Sequence, residues 1–346
     1  MAGRFRPFFV MKILGIETSC DETAAAIVEN GRQIHASVVS SQVDIHHLYG
    51  GVVPELASRM HIEAIVPVVE QAFADAGLMP ADIDTVAATQ GPGLVGALLV
   101  GFSFAKAYAY AKNVRFLGVD HLEGHLSSVL LSDSPPAFPY VALLASGGHT
   151  AIYHVKAEGR YDLLGQTRDD AAGEAYDKVA KMMGLGYPGG GVIDRLAHSG
   201  NPDTIAFPRP YLDKHRFDFS FSGIKTAVYR YIQTLEASPA PEHQADIAAA
   251  FQEAVVDVLT HKVLHAAEVK QCRDVAIVGG VAANRGLRER LLRETDGQSI
   301  RLHIPPMPLC GDNAAMIAAA AYHHLRQGAQ SSLQDDVYSR HRRKAA

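Results

Sequence analysis

The sequence predicts an α/β fold built from two related halves, because two kinds of segment occur twice. Each half begins with a β-hairpin whose apolar strands are joined by a short polar tip. Each half also contains an apolar strand that runs through a glycine turn into a helix. Since a repeated strand-and-helix pattern buries one sheet per copy, we expect two α/β lobes with a cleft between them.

In the first half, the hairpin consists of strands at 13–16 and 24–28 around a polar turn at 17–23. A strand at 85–89 leads through the glycine-rich segment 91–96 into a helix that ends near Lys112.

In the second half, strands at 140–145 and 151–155 flank a polar tip, and a third strand begins near Leu163. A strand at 274–278 leads through 279–284 into a helix from 285 to about 293.

An alanine-rich helix at 313–326 is expected to pack back on the first half. The proline-rich segment 134–139 is the predicted domain boundary. The predicted division is therefore an N-terminal extension at 1–10, lobe I at 11–135 and lobe II at 136–312. The last part, 313–346, combines the returning helix with a basic tail.

Composition limits the classes of function. The 346 residues, 48% of them hydrophobic, suffice for one large domain or two linked ones. A net charge of -5 argues against coating nucleic acid by charge alone, so any RNA contact must be local, as at 340–344, or shared with partners. Cys20, Cys272 and Cys310 lack the paired spacing of a disulfide framework, which favours a reducing compartment. We expect no export signal and no membrane span.

The strongest local signal is the His-Leu-Glu-Gly-His segment. His121 and His125 lie four residues apart and therefore share one face of a helix, where both can bind one metal ion. Glu123 lies about 200° around the helix from His121, so it cannot act as the base of a His-Glu-x-x-His metallopeptidase. A solvated or core histidine pair is the alternative.

A third ligand must come from elsewhere in the chain. Asp312 is a candidate because it precedes the last helix, although an aspartate there can also be a plain N-cap. Two imidazoles and one carboxylate suit Fe(2+) or Zn(2+) with positions left open for a substrate.

Two glycine turns are candidates for binding a nucleotide. The hairpin tip at 146–150 has backbone N–H groups that no side chain shields, as a phosphate requires. Gly279 and Gly280 precede the helix that follows Asn284, and such a helix start can hold phosphate or the adjoining adenosine. Plain turns explain both segments equally well.

Asp177 and Asp194 flank the glycine-rich segment 184–191, which we expect to form a wall for a flat ligand. Ionised carboxylates there can accept hydrogen bonds from ribose hydroxyls. Alternatively, both aspartates cap helices or pair with neighbouring lysines and arginines.

Taken in order, these segments resemble those of the tRNA N6-adenosine threonylcarbamoyltransferases, a family formerly called O-sialoglycoprotein endopeptidases. The resemblance covers nearly the whole chain from Met11 to about Gly328, and the set of motifs is far more specific than any one of them. The matching segments are 15–23, 50–59, 121–125, 146–150, 173–178, 220–225, 278–285 and 310–313.

The resemblance implies an actin-like ATPase fold, that is, a duplicated ribonuclease H-like fold. It also implies transfer of the L-threonylcarbamoyl group from threonylcarbamoyl-AMP to N6 of the adenosine 3′ of the anticodon, in tRNAs that read codons beginning with A. By position it implies the metal ligands His121, His125 and Asp312, with Fe(2+) favoured and Zn(2+) as the alternative. The implied adenylate-binding residues are Leu144, Ala145, Ser146, Gly147, Gly148, Asp177, Gly190, Asp194 and Asn284. No residue is indicated as a general base.

The resemblance further implies that threonylcarbamoyl-AMP or ATP/ADP binds in the cleft. The implied partners are tRNA, a catalytically silent paralogue that forms a heterodimer with the chain, a small ATPase, and a synthase that supplies the adenylate. A cytoplasmic bacterial enzyme is expected. Two other classes stay open: a metallopeptidase, and a nucleotide-regulated binding protein of the actin fold.

Overall fold

The computed structural model describes residues 10–210, 216–235 and 240–340. Two predicted features lie largely outside this range: residues 1–9 of the N-terminal extension and residues 341–346 of the basic tail. Among the described residues, no helix is both long and apolar enough to cross a membrane.

Groups of strands and groups of helices follow one another along the chain, as the sequence predicts for an α/β fold. The strands are β1 (Lys12–Glu17), β2 (Glu22–Glu29), β3 (Gln33–Ser41), β4 (Thr85–Gly91), β5 (Arg115–Asp120), β6 (Tyr140–Ala145), β7 (Thr150–Ala157), β8 (Arg160–Gln166), β9 (Asp274–Val278) and β10 (Arg301–His303). The helices are α1 (Val43–His47), α2 (Pro54–Ala76), α3 (Val95–Lys112), α4 (His121–Ser128), α5 (Ala172–Met182), α6 (Gly189–Ala197), α7 (Ser222–Gln233), α8 (Pro241–Lys270), α9 (Arg285–Thr295) and α10 (Ala314–Arg326).

The chain divides into two compact units. Unit 1 comprises the described residues up to Gln42, Val52–Leu131 and those from Asp312 onward; unit 2 comprises Val43–Gly51 and Ser132–Gly311. The unit 1 sheet has the order β3-β2-β1-β4-β5, and the unit 2 sheet has the matching order β8-β7-β6-β9-β10. In each, three antiparallel strands adjoin a parallel pair. The repeated topology confirms the predicted duplication.

In unit 1, the two faces of the sheet are covered by different helices. Leu14 and Ile16 of β1 point into an apolar core with α2 and α3. Gly15 points to the opposite face, because successive side chains of a strand alternate, and there α10 packs on β1 and β2. A side chain at Gly15 would meet the carbonyl of Ala314, so the glycine permits this close packing.

The polar tip of the first hairpin is shorter than the predicted turn at 17–23. Strand β1 continues through Glu17 and β2 begins at Glu22, which leaves only Thr18–Asp21 as the connection. Polar residues can enter these buried strands because they have partners: Thr89 donates a hydrogen bond to Glu17, and Thr23 Oγ1 lies 2.7 Å from His61 Nδ1.

The start of α10 differs from one reading of the sequence. Asn313, rather than Asp312, is the N-cap, and its side chain accepts a hydrogen bond from the backbone N–H of Met316 at 3.0 Å. The alternative in which Asp312 is simply a helix cap is therefore wrong. The Asp312 carboxylate lies outside the helix and contacts the imidazoles of His121 and His125 instead.

In unit 2, α8 runs for 30 residues and packs against β6, α6 and α9. Its buried side chains, among them Phe251 and Leu259, form the centre of an apolar core that reaches Val141 of β6 and Ile277 of β9. Helix α1 belongs to this unit, where His47 Nδ1 donates a hydrogen bond to the carbonyl of Tyr187 at 2.6 Å.

Candidate metal centre and nucleotide-binding segments

Helix α4 begins with His121 directly after β5, and Asp120 fixes that start. The Asp120 carboxylate accepts hydrogen bonds from the backbone N–H groups of Leu122 at 2.9 Å and Glu123 at 3.2 Å, as an N-cap does. Tyr338 donates a further hydrogen bond to the same carboxylate at 2.7 Å. These hydrogen bonds fix the first turn of the helix that carries His121 and His125.

The three residues predicted as metal ligands lie close together in unit 1. The Nε2 atoms of His121 and His125 lie 3.7 Å and 3.1 Å from Asp312 Oδ1, and one ligand atom of each residue lies within 4.8 Å of the others. Nitrogen and oxygen ligands about 2.0–2.2 Å from one ion, at near-tetrahedral angles, are themselves about 3.3–3.6 Å apart. The two separations from Asp312 lie within about 0.2 Å of this range, so the arrangement is close to that of three ligands of a single metal ion.

His125 is buried in a way that hydrogen bonding does not explain. Its side chain is fully buried, and neither ring nitrogen has a hydrogen-bond partner within the described part of the chain. The 3.1 Å separation from Asp312 is short, but the geometry does not satisfy a hydrogen bond. A buried polar atom without a partner is costly, and a metal ion at this point would bind Nε2.

Glu17 completes the surroundings of His121, and the sequence did not indicate it as a site residue. Its fully buried carboxylate lies 3.0 Å from His121 Nδ1, accepts a hydrogen bond from Thr89 at 2.6 Å, and accepts one from the backbone N–H of Ser19 at 2.5 Å. A glutamate at the end of an otherwise apolar strand was the available signal, since a buried carboxylate needs partners.

The charges of this group depend on one another. Burial works to lower the pKa of His121, but the neighbouring Glu17 and Asp312 carboxylates outweigh it and raise that pKa to about 9. Burial likewise works to raise the pKa of Glu17, and the His121 imidazolium outweighs it, so the net shift is downward. In the metal-free protein His121 therefore carries a proton at neutral pH that metal binding must displace.

Glu123 does not join this group, as its position on the helix predicts. Its buried side chain forms an ion pair with His324 of α10, at 2.8 Å. The sequence argument against a His-Glu-x-x-His arrangement thus agrees with the structure.

In unit 2, the tip between β6 and β7 offers backbone N–H groups to a ligand. Ser146 closes the turn, because its N–H donates to the carbonyl of His149 and its hydroxyl accepts from the N–H of His149. Gly147 and Gly148 are exposed, and a Cβ on either would meet nothing within 4 Å. Leu144 and Ala145 are fully buried, so only their backbone can serve a ligand.

The start of α9 is already satisfied by protein groups. Asn284 caps the helix and accepts from the N–H of Leu287 at 2.8 Å, while the Asp194 carboxylate accepts from the N–H groups of Arg285 at 3.2 Å and Gly286 at 3.4 Å. These N–H groups are therefore not open to a phosphate. Asp194 also lines a pocket of about 180 Å³ with His198 and Gln252 among the other lining residues.

Asp177 has a comparable role at the start of α6. Its carboxylate accepts a hydrogen bond from the N–H of Gly189 at 2.7 Å. Gly190 follows in the first turn of the helix, with open space where a Cβ would lie. The segment predicted as a glycine wall thus ends in a helix start rather than continuing as a loop.

Comparison with known proteins places this architecture. The full-length HypF in its phosphate- and nucleotide-bound form superposes with a TM-score of 0.59 at 15% identity, over 93% of this chain and 56% of that one. Component A of (R)-2-hydroxyglutaryl-CoA dehydratase from Acidaminococcus fermentans superposes with a TM-score of 0.54 at 16% identity, over 90% of this chain and 98% of that one. The topology and these neighbours define an α/β protein with the actin-like ATPase fold.

Sequence relatives identify the family. The family model for tRNA N6-adenosine threonylcarbamoyltransferase matches residues 33–319. A protein of that name from Desulforapulum autotrophicum is 61% identical over 96% of this chain and 99% of its own length, and one from Desulfotalea psychrophila is 52% identical over 95% and 97%. The chain belongs to the tRNA N6-adenosine threonylcarbamoyltransferase family.

Proposed function

We propose that this chain transfers the L-threonylcarbamoyl group from threonylcarbamoyl-AMP to N6 of the adenosine 3′ of the anticodon, in tRNAs that read codons beginning with A. Besides family membership, the observation that carries the proposal is the cluster of the buried His121 and His125 with the half-buried Asp312. In the reaction the N6 amine attacks the carbamoyl carbon, and the bond from that carbon to the phosphate oxygen breaks. AMP leaves with the electron pair, and the amine proton passes to solvent or to the leaving phosphate.

His121, His125 and Asp312 would hold one divalent metal ion. The combination of two imidazoles and one carboxylate favours Fe(2+), with Zn(2+) as the alternative, and leaves coordination positions for a substrate. When bound, the ion would polarise the carbamoyl carbonyl or anchor the threonyl group. The capped start of α4 would orient the two imidazoles toward the ion.

The tip at Ser146, Gly147 and Gly148 would receive the phosphate of the adenylate. Its exposed glycines leave room for close approach of an anion to the backbone, together with the adjoining Leu144 and Ala145. This tip is a better phosphate site than the start of α9, where Asp194 and Asn284 already accept the first N–H groups.

The nucleoside would be bound by Asp177, Gly190, Asp194 and Asn284. A carboxylate offers about four lone-pair sites, so an aspartate that accepts one or two backbone hydrogen bonds retains capacity for a ribose hydroxyl. The open space at Gly190 admits a ligand close to the backbone. ATP or ADP, which share the adenosine, would use the same residues.

The partners implied by the family are a catalytically silent paralogue, a small ATPase and an adenylate synthase. The proposed location of the enzyme is the cytoplasm. Exposed apolar side chains on two adjacent helices of unit 1 support a protein partner: Ile62 and Val66 on α2, and Val95 and Leu99 on α3. A net charge of -5 supports shared binding of tRNA, since the chain alone offers little overall attraction to phosphate.

The competing classes have less support. A metallopeptidase needs a base beside the metal, and Glu123 is paired with His324 instead. A nucleotide-regulated binding protein that binds no metal would leave the buried Nε2 of His125 without a ligand.

The deciding experiment supplies synthetic threonylcarbamoyl-AMP and unmodified tRNA to the metal-loaded chain with its helper proteins, and measures threonylcarbamoyladenosine in the nuclease digest. We expect product with the wild type and none with His125→Ala. Absence of product with the wild type, or product with unchanged yield from His125→Ala after metal removal, would contradict the proposal.

A further inference from the structure

We infer that Glu17 is a positioning residue that holds His121 in the tautomer presenting Nε2 to the metal. The inference rests on the proposed metal site and adds a role for a residue outside the ligand set. It starts from the placement of Glu17 at the last position of β1, with its side chain fully buried.

Two hydrogen bonds hold the Glu17 carboxylate in place independently of its contact with His121. Oε1 accepts from the backbone N–H of Ser19 at 2.5 Å, and Oε2 accepts from the hydroxyl of Thr89 at 2.6 Å. Thr89 belongs to β4, the strand that pairs with β1. The carboxylate is thus fixed by its own strand end and by the neighbouring strand, so its orientation does not depend on the metal.

The direction of the remaining contact decides the tautomer. Glu17 Oε2 lies 3.0 Å from His121 Nδ1, and an ionised carboxylate can only accept, so Nδ1 must carry the proton; the Ser19 hydroxyl oxygen, 3.2 Å from the same nitrogen, can accept as well. The lone pair of the neutral ring then lies on Nε2, the atom nearest Asp312 and the counterpart of His125 Nε2. A carboxylate behind a metal-binding histidine fixes the ring and raises its basicity, and loss of such a partner typically weakens metal binding about 10–100-fold.

Glu123 provides a matched control. It is also a buried carboxylate of unit 1, two residues from His121, but its partner is His324, which binds no metal in this proposal. Glu17→Gln and Glu123→Gln therefore both remove one buried negative charge near the site. Only Glu17→Gln replaces the ionised carboxylate that faces Nδ1 by a neutral amide, which is a weaker acceptor and can also turn its NH2 group toward the ring.

The test measures the Co(2+) dissociation constant of the full-length chain by chelator competition. We expect Glu17→Gln to weaken binding about 10–100-fold and Glu123→Gln to change it less than about threefold. An equal loss in both variants would show that charge alone matters, and it would overturn the role of Glu17. A wild type that binds no Co(2+) would overturn the metal site itself, and this inference with it.

A second measurement uses only the wild type, so it does not depend on a variant that folds. In the Zn(2+)-loaded chain labelled with 15N-histidine, the His121 ring signals can be assigned through contacts to Ser19, whose hydroxyl oxygen lies 3.2 Å from His121 Nδ1. We expect a protonated Nδ1 and a metal-bound Nε2. Coordination of His121 through Nδ1 would overturn the inference while leaving the metal site intact.

Discussion

Substitution of Gly15 by alanine tests whether the packing of α10 on β1 sets the position of a metal ligand. A Cβ at Gly15 would lie 2.2 Å from the carbonyl oxygen of Ala314 and 3.1 Å from Ala318 Cβ. Ordinary contact begins near 3.4 Å, so the first turn of α10 must move by the difference between 3.4 and 2.2 Å, about 1.2 Å. Asp312 lies two residues before Ala314 and would move with that turn.

The substitution is expected to have two effects. Overpacking against a helix backbone costs about 1–3 kcal/mol, and we expect the upper part of that range because the obstacle is a carbonyl. At about 2.1 cal/mol/K per residue, the unfolding entropy of a 346-residue chain is roughly 0.7 kcal/mol/K, so the midpoint of thermal unfolding should fall by roughly 3–4 °C. A shift of about 1 Å also exceeds the roughly 0.2 Å tolerance of metal–ligand distances, so metal binding should weaken at least about tenfold.

Calorimetry of the metal-free chain measures the first effect, and chelator competition measures the second. Gly223→Ala is the control, since a Cβ there meets nothing within 4 Å and the residue lies in α7 of unit 2. We expect that variant to match the wild type or to be slightly more stable. If Gly15→Ala unfolds within about 0.5 kcal/mol of the wild type and binds metal normally, the packing argument is wrong.

Three further predictions follow from other contacts. Asp120→Ala should lower the free energy of unfolding by about 1–2 kcal/mol through loss of the α4 cap, measured by urea titration; no change would show that the cap is not needed. Burial works to raise the pKa of Asp274, but hydrogen bonds from Arg301 and His303 outweigh it and lower that pKa. The ionised carboxylate therefore stabilises the folded protein fully above about pH 4, and this stabilisation is lost as the pH falls through the lowered folded-state pKa. Asp274→Asn should therefore cost about 1–3 kcal/mol at pH 7, with the difference from wild type shrinking in acid; a constant difference would refute this. Zn(2+) at 100 times its dissociation constant should stabilise the wild type by about 2.7 kcal/mol in thermal unfolding and leave His125→Ala unaffected; equal stabilisation of both would point to a different site.

Much of the fold could be predicted because its determinants are local. Alternating and continuous apolar runs predicted the strands of both hairpins, and the strand at Asp274–Val278 begins and ends where the sequence indicated. The spacing of His121 and His125 predicted a shared helix face, since helix periodicity depends only on the chain itself. The separation of Glu123 from that face followed from the same periodicity, and its pairing with His324 agrees with it.

Other features could not be predicted because they depend on residues far apart in the chain. Nothing in the local sequence shows that Asn313 rather than Asp312 caps α10, since both residue types favour that position. Asp194 and Asn284 were expected to serve a nucleotide, and only the fold shows that both also accept hydrogen bonds at the start of α9.

Sequence by itself determined the duplicated α/β plan, the pair of histidines and the family resemblance, because each rests on periodicity or on motifs read in order. Tertiary structure alone decided that Glu17 faces His121 across 104 positions of the chain and that Asp312 meets both imidazoles. The physical reason is that sheet pairing of β1 with β4 and packing of α10 on β1 bring these side chains together. Such long-range contacts arise from the burial of whole faces, which no local pattern specifies.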